Sequence, residues 1–240
     1  MERLSELMNK TEFKPNLRRV TCGLVSLPNE IELFKKIGTK YTLNDGLEFE
    51  IDKDNLFLIE NLIKWAHNVE FECLSYETLK PIKGNPNKGI YIAGKSGSGK
   101  SLIMRVFAEY LGYKGIIYRV KNGTNLLAYN QIKTTKIGDI IKESGDRDYF
   151  AEMPSICFQD FGSEDRFVKF MGSEIDFMRT IINDRFDNDC LLSHFTSNLS
   201  LRADNNAIKN KYDDARIVRR LRTCNYYELS GKDRSVWQRK

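Results

Sequence analysis

Chemistry-bearing residues concentrate between Lys88 and Ser101, where the sequence reads KGIYIAGKSGSGKS. Gly94 is followed, after four residues, by Gly99, Lys100 and Ser101, which is the spacing of a phosphate-binding P-loop. Glycines let such a loop curl until its backbone N–H groups point at phosphate oxygens, and the positive end of the following helix favours the same negative charge. Lys100 is therefore predicted to reach the β- and γ-phosphates of ATP, and the Ser101 hydroxyl to bind Mg²⁺.

The segments on either side have the character that such a loop needs. An apolar run over residues 89–93 predicts a strand, and apolar residues at helical spacing follow from Leu102 to Leu111. Strand, loop and helix in this order make a chance match of a serine-rich turn a poor alternative. The predicted phosphate-binding residues are Gly94, Lys95, Ser96, Gly97, Ser98, Gly99, Lys100 and Ser101.

Composition narrows the class of protein. The 240 residues are 41% hydrophobic and 30% charged, and no apolar run approaches the roughly 18 residues of a membrane span. The first ten residues, MERLSELMNK, lack the apolar centre of a signal peptide. Five dispersed cysteines without a CxxC pair favour reduced thiols, so we expect a cytoplasmic protein.

Positive charge gathers near the C-terminus. The net charge is +5, while residues 209–240 hold ten lysines and arginines against four acids. Such a surplus suggests an anionic partner such as nucleic acid, although an ordinary solvated basic surface explains it equally well.

Hydrophobic patterning predicts an α/β domain over residues 47–240, preceded by an N-terminal appendage over 1–46 that is a candidate partner-binding segment. Strands are expected at Leu47–Ile51, 89–93, 115–120, 155–160, 190–196 and 226–229, with helices between them, one of them beginning at Ser173. Alternating strands and helices indicate a parallel sheet, whose strands end on one edge. The P-loop, Asp160 and Asn198 all follow such strands, so we expect them to share a site.

Four further segments carry a family resemblance: ICFQDFGSE from Ile156, FTSNL from Phe195, YDDARIVRRL from Tyr212 and GKDR from Gly231. Their order and spacing resemble the DnaC/IstB-like branch of the AAA+ ATPases, from about Leu47 to Ser235. The resemblance implies a three-layer P-loop NTPase fold with a short C-terminal lid. It also implies nucleotide-dependent assembly into a homo-oligomer.

The same resemblance implies roles for individual residues. Asp160 falls in the Walker B segment, where it supports Mg²⁺ and catalysis. Asn198 matches the sensor that orients the attacking water, and Arg220 matches the arginine finger that reaches a neighbouring subunit's nucleotide. Arg216 or Arg219 are possible helpers. Arg234 lies near the position of a second sensor arginine that binds the nucleotide.

One departure bears on catalysis. The family usually ends the Walker B strand with two adjacent acids, and here the first position is Gln159. A neutral amide is a poorer support for Mg²⁺ than a carboxylate. Asp160 therefore serves alone or with Glu164, or hydrolysis is slow.

The resulting prediction is a DnaC-like helicase loader that binds ATP, Mg²⁺, single-stranded DNA and a replicative helicase. The basic stretch Lys121–Lys136 is the candidate DNA contact, because Lys121, Lys133 and Lys136 are expected outside the strands. One alternative is an IstB-like helper ATPase that serves a transposase. A second is a P-loop nucleoside or nucleotide kinase, against which the 93 residues before the loop argue. A third is a nucleotide-gated binding protein with little catalysis.

Overall fold

Strands and helices alternate through most of the chain. The computed structural model describes residues 23, 26–43, 48–115, 129–146, 148–153, 155–187, 192–231 and 233–234, and the backbone alone of 18–20, 117–119 and 125–127. The strands are β1 (Arg18–Val20), β2 (Glu72–Leu74), β3 (Pro81–Lys83), β4 (Ile90–Gly94), β5 (Ile117–Arg119), β6 (Asn125–Leu127), β7 (Asn130–Lys133), β8 (Ser155–Phe161), β9 (Val168–Phe170), β10 (Ser173–Ile175), β11 (Leu192–Ser197) and β12 (Asn225–Leu229). The helices are α1 (Leu27–Thr42), α2 (Leu56–Ala66), α3 (Lys100–Tyr113), α4 (Ile137–Ser144), α5 (Tyr149–Glu152), α6 (Phe177–Asp187), α7 (Ala207–Tyr212) and α8 (Ala215–Leu221).

A five-stranded sheet forms the centre, with its strands in the order β12, β4, β11, β8, β7. Each neighbouring pair in this sheet is parallel. Parallel sheets are covered on both faces, which is why almost every residue of β4 and β8 is buried. The predicted parallel α/β fold is confirmed.

Residues on β4 alternate between two hydrophobic cores, because successive side chains of a strand point to opposite faces. Ile90 and Ile92 pack in one core with buried residues of α1, α2 and α3. Tyr91 and Ala93 pack in the other core with buried residues of α4, α6, α7 and α8. Helices therefore cover both faces of the sheet, which makes the predicted three layers.

The carboxyl ends of the central strands meet at one edge of the sheet. The P-loop follows β4, Asp160 is the penultimate residue of β8, and Asn198 follows β11 directly. Since β4, β11 and β8 are consecutive neighbours, these three features lie side by side. Strand order thus brings together residues that are about 100 positions apart in the sequence.

Two predicted elements were wrong. Residues 48–51 form no strand; they lead into a turn before α2, and Leu47 lies outside the described residues. Ser173 begins β10, which forms a hairpin with β9, and the helix begins only at Phe177. The hairpin turn at Met171 and Gly172 uses positive φ angles of 49° and 82°. Two such residues in sequence are typical of a tight hairpin turn, and they exclude a helix there.

The predicted strand over residues 115–120 exists in part as β5, but it belongs to a separate antiparallel sheet with β1 and β6. The edge of the central sheet is instead β7, which pairs with β8. Asn130 and Lys133 on β7 are exposed. An edge strand of this kind lacks an apolar run, so its sequence resembles a polar connector.

Helix α1 lies within the predicted N-terminal appendage and packs on α3. Phe34 and Ile37 are buried in the same core as the P-loop helix. At its far end, the Lys40 Nζ donates to Glu109 Oε1 on α3 at 2.8 Å. The boundary near residue 46 stays a prediction, and residues 1–17 lie outside the described part of the chain. In that described part, no helix combines the length and apolarity that crossing a membrane requires.

Candidate nucleotide-binding site

The loop between β4 and α3 is built on glycines in left-handed conformations. Gly97 and Gly99 have φ angles of 79° and 91°, which cost a residue with a side chain about 1 kcal/mol or more. Gly99 is also the N-cap of α3, so the loop ends at the positive end of the helix. The loop therefore has the geometry of an anion-binding turn.

The Lys100 ammonium group lies inside this loop. It donates to the carbonyl oxygens of Gly94 at 2.8 Å and Lys95 at 2.7 Å, and to Asn198 Oδ1 at 3.0 Å. Its Nζ also lies 3.4 Å from Ser98 Oγ. Burial lowers the pKa of Lys100, while the nearby charge of Asp160 acts in the opposite direction. A cation held at this point suits a bound phosphate group.

Asp160 is aimed by an irregularity in β8. Phe158 pairs with Phe195 and Phe161 pairs with Ser197, so two residues of β8 face the single Thr196 of β11. Such a bulge bends a strand and re-aims its side chains. Asp160 has a φ of 56°, and it lines the cavity beside the P-loop.

Two threonines fix this bulge. The Asp160 N–H donates to Thr196 Oγ1 at 3.2 Å, and the Asp160 carbonyl accepts from Thr134 Oγ1 at 3.0 Å. Thr196 is fully buried and Thr134 almost so. Both are positioning residues that the motif search did not identify, because their role depends on the bulge.

Gln159 takes a different direction from Asp160. It is buried, and its amide donates to Gln131 Oε1 on β7. The Gln131 amide in turn donates to the Met104 carbonyl of α3 at 2.9 Å. Gln159 thus belongs to a polar chain between β8, β7 and α3, and it is not among the residues that line the cavity.

A cavity of about 270 Å³ opens at the P-loop. It is lined by Thr42, Glu48, Phe49, Glu50, Asn55, Ser96, Gly97, Gly99, Lys100, Ser101, Leu102, Ile103, Asp160, Asn198 and Arg234. The predicted residues Gly94, Lys95 and Ser98 face the Lys100 ammonium instead. Ser101 and Asp160, the predicted metal ligands, both line this cavity. Hydroxyl and carboxylate oxygens are the donors that Mg²⁺ prefers, so this pair fits the ion.

Another part of the cavity lining comes from residues that the sequence did not predict. Thr42 ends α1, and Phe49 follows shortly after it. A Cβ atom on Gly38 would lie 2.4 Å from the Phe49 ring, so α1 and this ring are in direct contact. The Phe49 N–H also donates to Thr39 Oγ1 at 3.2 Å. No short sequence motif predicts this part of the cavity lining, because it forms only when α1 docks.

Arg234 reaches the cavity from the C-terminal side. Its Nη2 lies 2.7 and 2.9 Å from the two carboxylate oxygens of Asp52. Its Nη1 donates to the Ser98 carbonyl at 3.2 Å, and its backbone N–H donates to the Gly97 carbonyl at 2.8 Å. Arg234 therefore touches the P-loop, as its predicted role requires, and is paired with an acid.

The arginines of α8 lie outside the cavity of their own chain. Arg220 donates to the Asn183 carbonyl and, at 2.6 Å, to Asp187 Oδ1 on α6. Arg216 pairs with Asp214 at 3.1 Å, and this hydrogen-bonded pair lowers the pKa of Asp214 to about 2. Arg219 is exposed and forms no ion pair with any described residue.

Glu164 does not join Asp160 at the cavity. Its carboxylate accepts from the Tyr212 hydroxyl and, at 2.9 Å, from the Gly162 N–H. The Lys211 ammonium donates to its carbonyl. Glu164 thus connects the segment after β8 to α7, which is a structural contact in place of the suggested catalytic assistance.

Comparisons with known proteins identify the fold. The sequence matches no protein-family profile, and a search of curated proteins found no match. A crystal structure of DnaI is similar with a TM-score of 0.50 and 17% identity, covering 76% of this chain and 88% of that one. A crystal structure of the DnaC helicase loader is similar with a TM-score of 0.50 and 16% identity, covering 76% and 93%. This chain therefore has a DnaC-like fold.

Proposed function

We propose that this chain is an ATP-binding DNA replication factor of the DnaC-like loader type, which binds single-stranded DNA and a replicative helicase. The observation that carries the nucleotide part is the convergence of Lys100, Ser101, Asp160 and Asn198 on one cavity. The DnaC-like fold supports the replication part. We also propose that it assembles into a nucleotide-dependent homo-oligomer.

The residues of the cavity have separate roles in binding and hydrolysing ATP. The Lys100 ammonium exchanges one of its present oxygen acceptors for a phosphate oxygen. Asn198 is next to this ammonium and orients the attacking water, and the Asp160 carboxylate polarises it. Bound Mg²⁺, held through Ser101 and Asp160, would neutralise phosphate charge. The side chains of Phe49, Leu102 and Ile103 offer apolar surface for the base.

Hydrolysis is proposed to be weak because Gln159 is neutral and tied to Gln131. A second acid near the metal site is therefore missing on this strand. ATP would act mainly as a ligand that controls assembly, with slow turnover as a timer. The chain would therefore share a property with each of two classes. It would hydrolyse ATP, as an active ATPase does, and it would use bound ATP mainly to control assembly, as a nucleotide-gated binding protein does.

The DNA surface is proposed at the carboxyl end of β7. The expectation that Lys133 lies outside the strands is wrong, because it is the last residue of β7; Lys121 lies outside the described residues. Lys133 and Lys136 are both exposed. Beside them is a second cavity of about 320 Å³, whose wall includes the exposed ring of Phe167 and both basic and acidic residues, namely Lys142, Lys169, Asp139, Glu164 and Asp165. The proposal therefore rests on the two exposed lysines, with the Phe167 ring as a surface on which a base can stack.

The first prediction concerns the acid strand. Gln159→Asp should raise Mg²⁺-dependent ATP turnover by about tenfold, because it places a carboxylate next to Asp160, behind the direct metal ligands, where it can support them. Asp160→Asn should lower turnover by about 100-fold or more. Phosphate release under saturating ATP measures both effects. Gln159→Asn is the matched control, since it has the shape of Asp without the charge. Equal turnover of the Asp and Asn variants would contradict this assignment of the strand.

The second prediction tests the replication function through DNA. Combined Lys133→Ala and Lys136→Ala should weaken single-strand binding and reduce the slope of log affinity against log salt by about 1.4. Fluorescence anisotropy of a labelled oligonucleotide across a salt series measures this slope. Combined Lys80→Ala and Lys83→Ala, at two exposed lysines beyond the opposite edge of the sheet, is the charge-matched control and should change little. Absence of binding by the wild type at low salt would reject the DNA role.

Assays of complex formation and of phosphate transfer distinguish the helicase loader from the transposition helper and from the kinase. The proposed function predicts a complex with the replicative helicase of the same genome when ATP is present. A complex with a transposase instead would favour the IstB-like alternative. Phosphate transfer to a nucleoside or nucleotide acceptor would favour the kinase.

The third prediction concerns catalysis across subunits. Because Arg220 lies outside its own cavity, Arg220→Ala protomers should bind ATP normally but hydrolyse it poorly. Mixing this protein with Lys100→Ala protein can rebuild one intact site from two chains, so turnover should recover in the mixture. Steady-state hydrolysis across a concentration range measures recovery.

Arg219→Ala serves as the neighbouring control in the same experiment. If only the Arg219 variant complements Lys100→Ala, the finger is one residue earlier than proposed. If neither variant complements, with wild type active and all proteins folded, catalysis between subunits is excluded.

A further inference from the structure

The residues after β12 form a strap across the P-loop. This C-terminal strap comprises Gly231, Asp233 and Arg234, with Lys232 outside the described residues. Its backbone donates from Arg234 to the Gly97 carbonyl at 2.8 Å. A Cβ atom on Gly97 would lie only 1.9 Å from Asp233 Oδ1, so loop and strap are in direct contact. One hydrogen bond and close packing therefore join the strap to the loop.

Asp52 holds the strap from the other side. Its carboxylate accepts two close contacts from Arg234 Nη2, at 2.7 and 2.9 Å. The side chains of Asp52 and Arg234 are 20% and 16% exposed, so the pair is only partly screened by water. Charge-assisted hydrogen bonds of this kind are among the stronger polar contacts in proteins. The ion pair therefore restrains the position of the Arg234 side chain.

The turn that carries Asp52 is itself part of the cavity wall. The Asp52 N–H donates to Asn55 Oδ1 at 2.9 Å, and Asn55 lines the cavity together with Glu50. Arg234 lines the same cavity as Lys100. Its Nε is buried and has no hydrogen-bond partner in the described part of the chain. A phosphate in the cavity and the Asp52 carboxylate would thus compete for one guanidinium group.

We propose that Asp52 and Arg234 form a latch that nucleotide phosphate opens. Without nucleotide, Asp52 holds Arg234 and thereby the strap against the P-loop. With nucleotide, the guanidinium turns from the carboxylate to a phosphate, and the strap is released from the turn before α2. Asp52 is the positioning residue of this device. The inference rests on the proposed nucleotide binding and adds a regulatory contact to it.

A latch and a simple brace differ in the direction in which they change nucleotide affinity. If phosphate must displace Asp52, removing the carboxylate charge should tighten nucleotide binding. If the pair only braces the loop, removing it should loosen the loop and weaken binding. The two accounts therefore predict opposite changes in the dissociation constant for the same substitution.

The test compares Asp52→Asn, Arg234→Gln and the double variant by titration with a fluorescent ATP analogue. Asn keeps the Oδ1 that accepts the Asp54 N–H. Asp52→Asn should bind about five- to tenfold more tightly than wild type while its unfolding temperature without nucleotide falls. Arg234→Gln should bind about tenfold more weakly. The double variant should match Arg234→Gln, because the latch acts through Arg234.

Electrostatic repulsion between Asp52 and phosphate is the competing cause of tighter binding. It would persist in the Arg234→Gln background, whereas the latch effect would vanish there. Asp54→Asn removes another acid of the same turn, one that is not among the residues lining the cavity. Its affinity should stay within about twofold of wild type.

Three results would overturn the latch: weaker binding by Asp52→Asn, equal tightening in the Arg234→Gln background, or tightening of the same size in Asp54→Asn. If Asp52→Asn does not fold, ¹⁵N NMR of the Arg234 guanidinium in the wild type decides. Its signals should shift on addition of ATP, and unchanged signals at saturation would overturn the latch. A wild type that binds no nucleotide would reject the proposed function and the latch together, whereas the other results reject the latch alone.

Discussion

Lys100 is 5% exposed, and a charge that is so nearly removed from water requires partners on several sides. Gly94 and Lys95 supply carbonyl oxygens from the loop itself, and Asn198 supplies an amide oxygen from the adjacent strand end. This requirement constrains the sheet, because β4 and β11 must be neighbours in parallel register. The neighbouring β8 then brings the Asp160 carboxylate to the same edge. A single buried cation thus links the order of the strands to the contents of the cavity.

A second constraint acts on the backbone beside that cation. Strand β8 must place one residue toward the cavity and keep its neighbour within the sheet, and the bulge opposite Thr196 achieves both. Gln159 consequently forms its hydrogen bond sideways with Gln131, while Asp160 adopts a left-handed conformation. The strain is small, about 1 kcal/mol for such a residue, and two threonine hydroxyls offset it. Local irregularity here has a chemical purpose, which is to separate a carboxylate from a buried amide.

The sequence predicts the parts of this arrangement that local pattern controls. The P-loop and the strands β4, β8 and β11 follow from glycine spacing and hydrophobic runs. Long-range packing decides the rest. Phe49 reaches the cavity only because α1 docks on α3, and β7 joins the sheet despite its polar residues because it is an edge strand. No local pattern predicts the pairing of Asp52 with Arg234, since it spans 182 positions.

The central claim is that the cavity binds ATP through Lys100, and equilibrium titration of the isolated protein with ATP tests it most directly. Lys100→Ala should weaken ATP binding by at least about tenfold, because it removes the cation that contacts the phosphates. Lys36→Ala, which removes an equal charge from an exposed position on α1, should bind like wild type. Circular dichroism should show that both variants remain folded. Equal ATP affinity of folded Lys100→Ala and wild type would contradict the account.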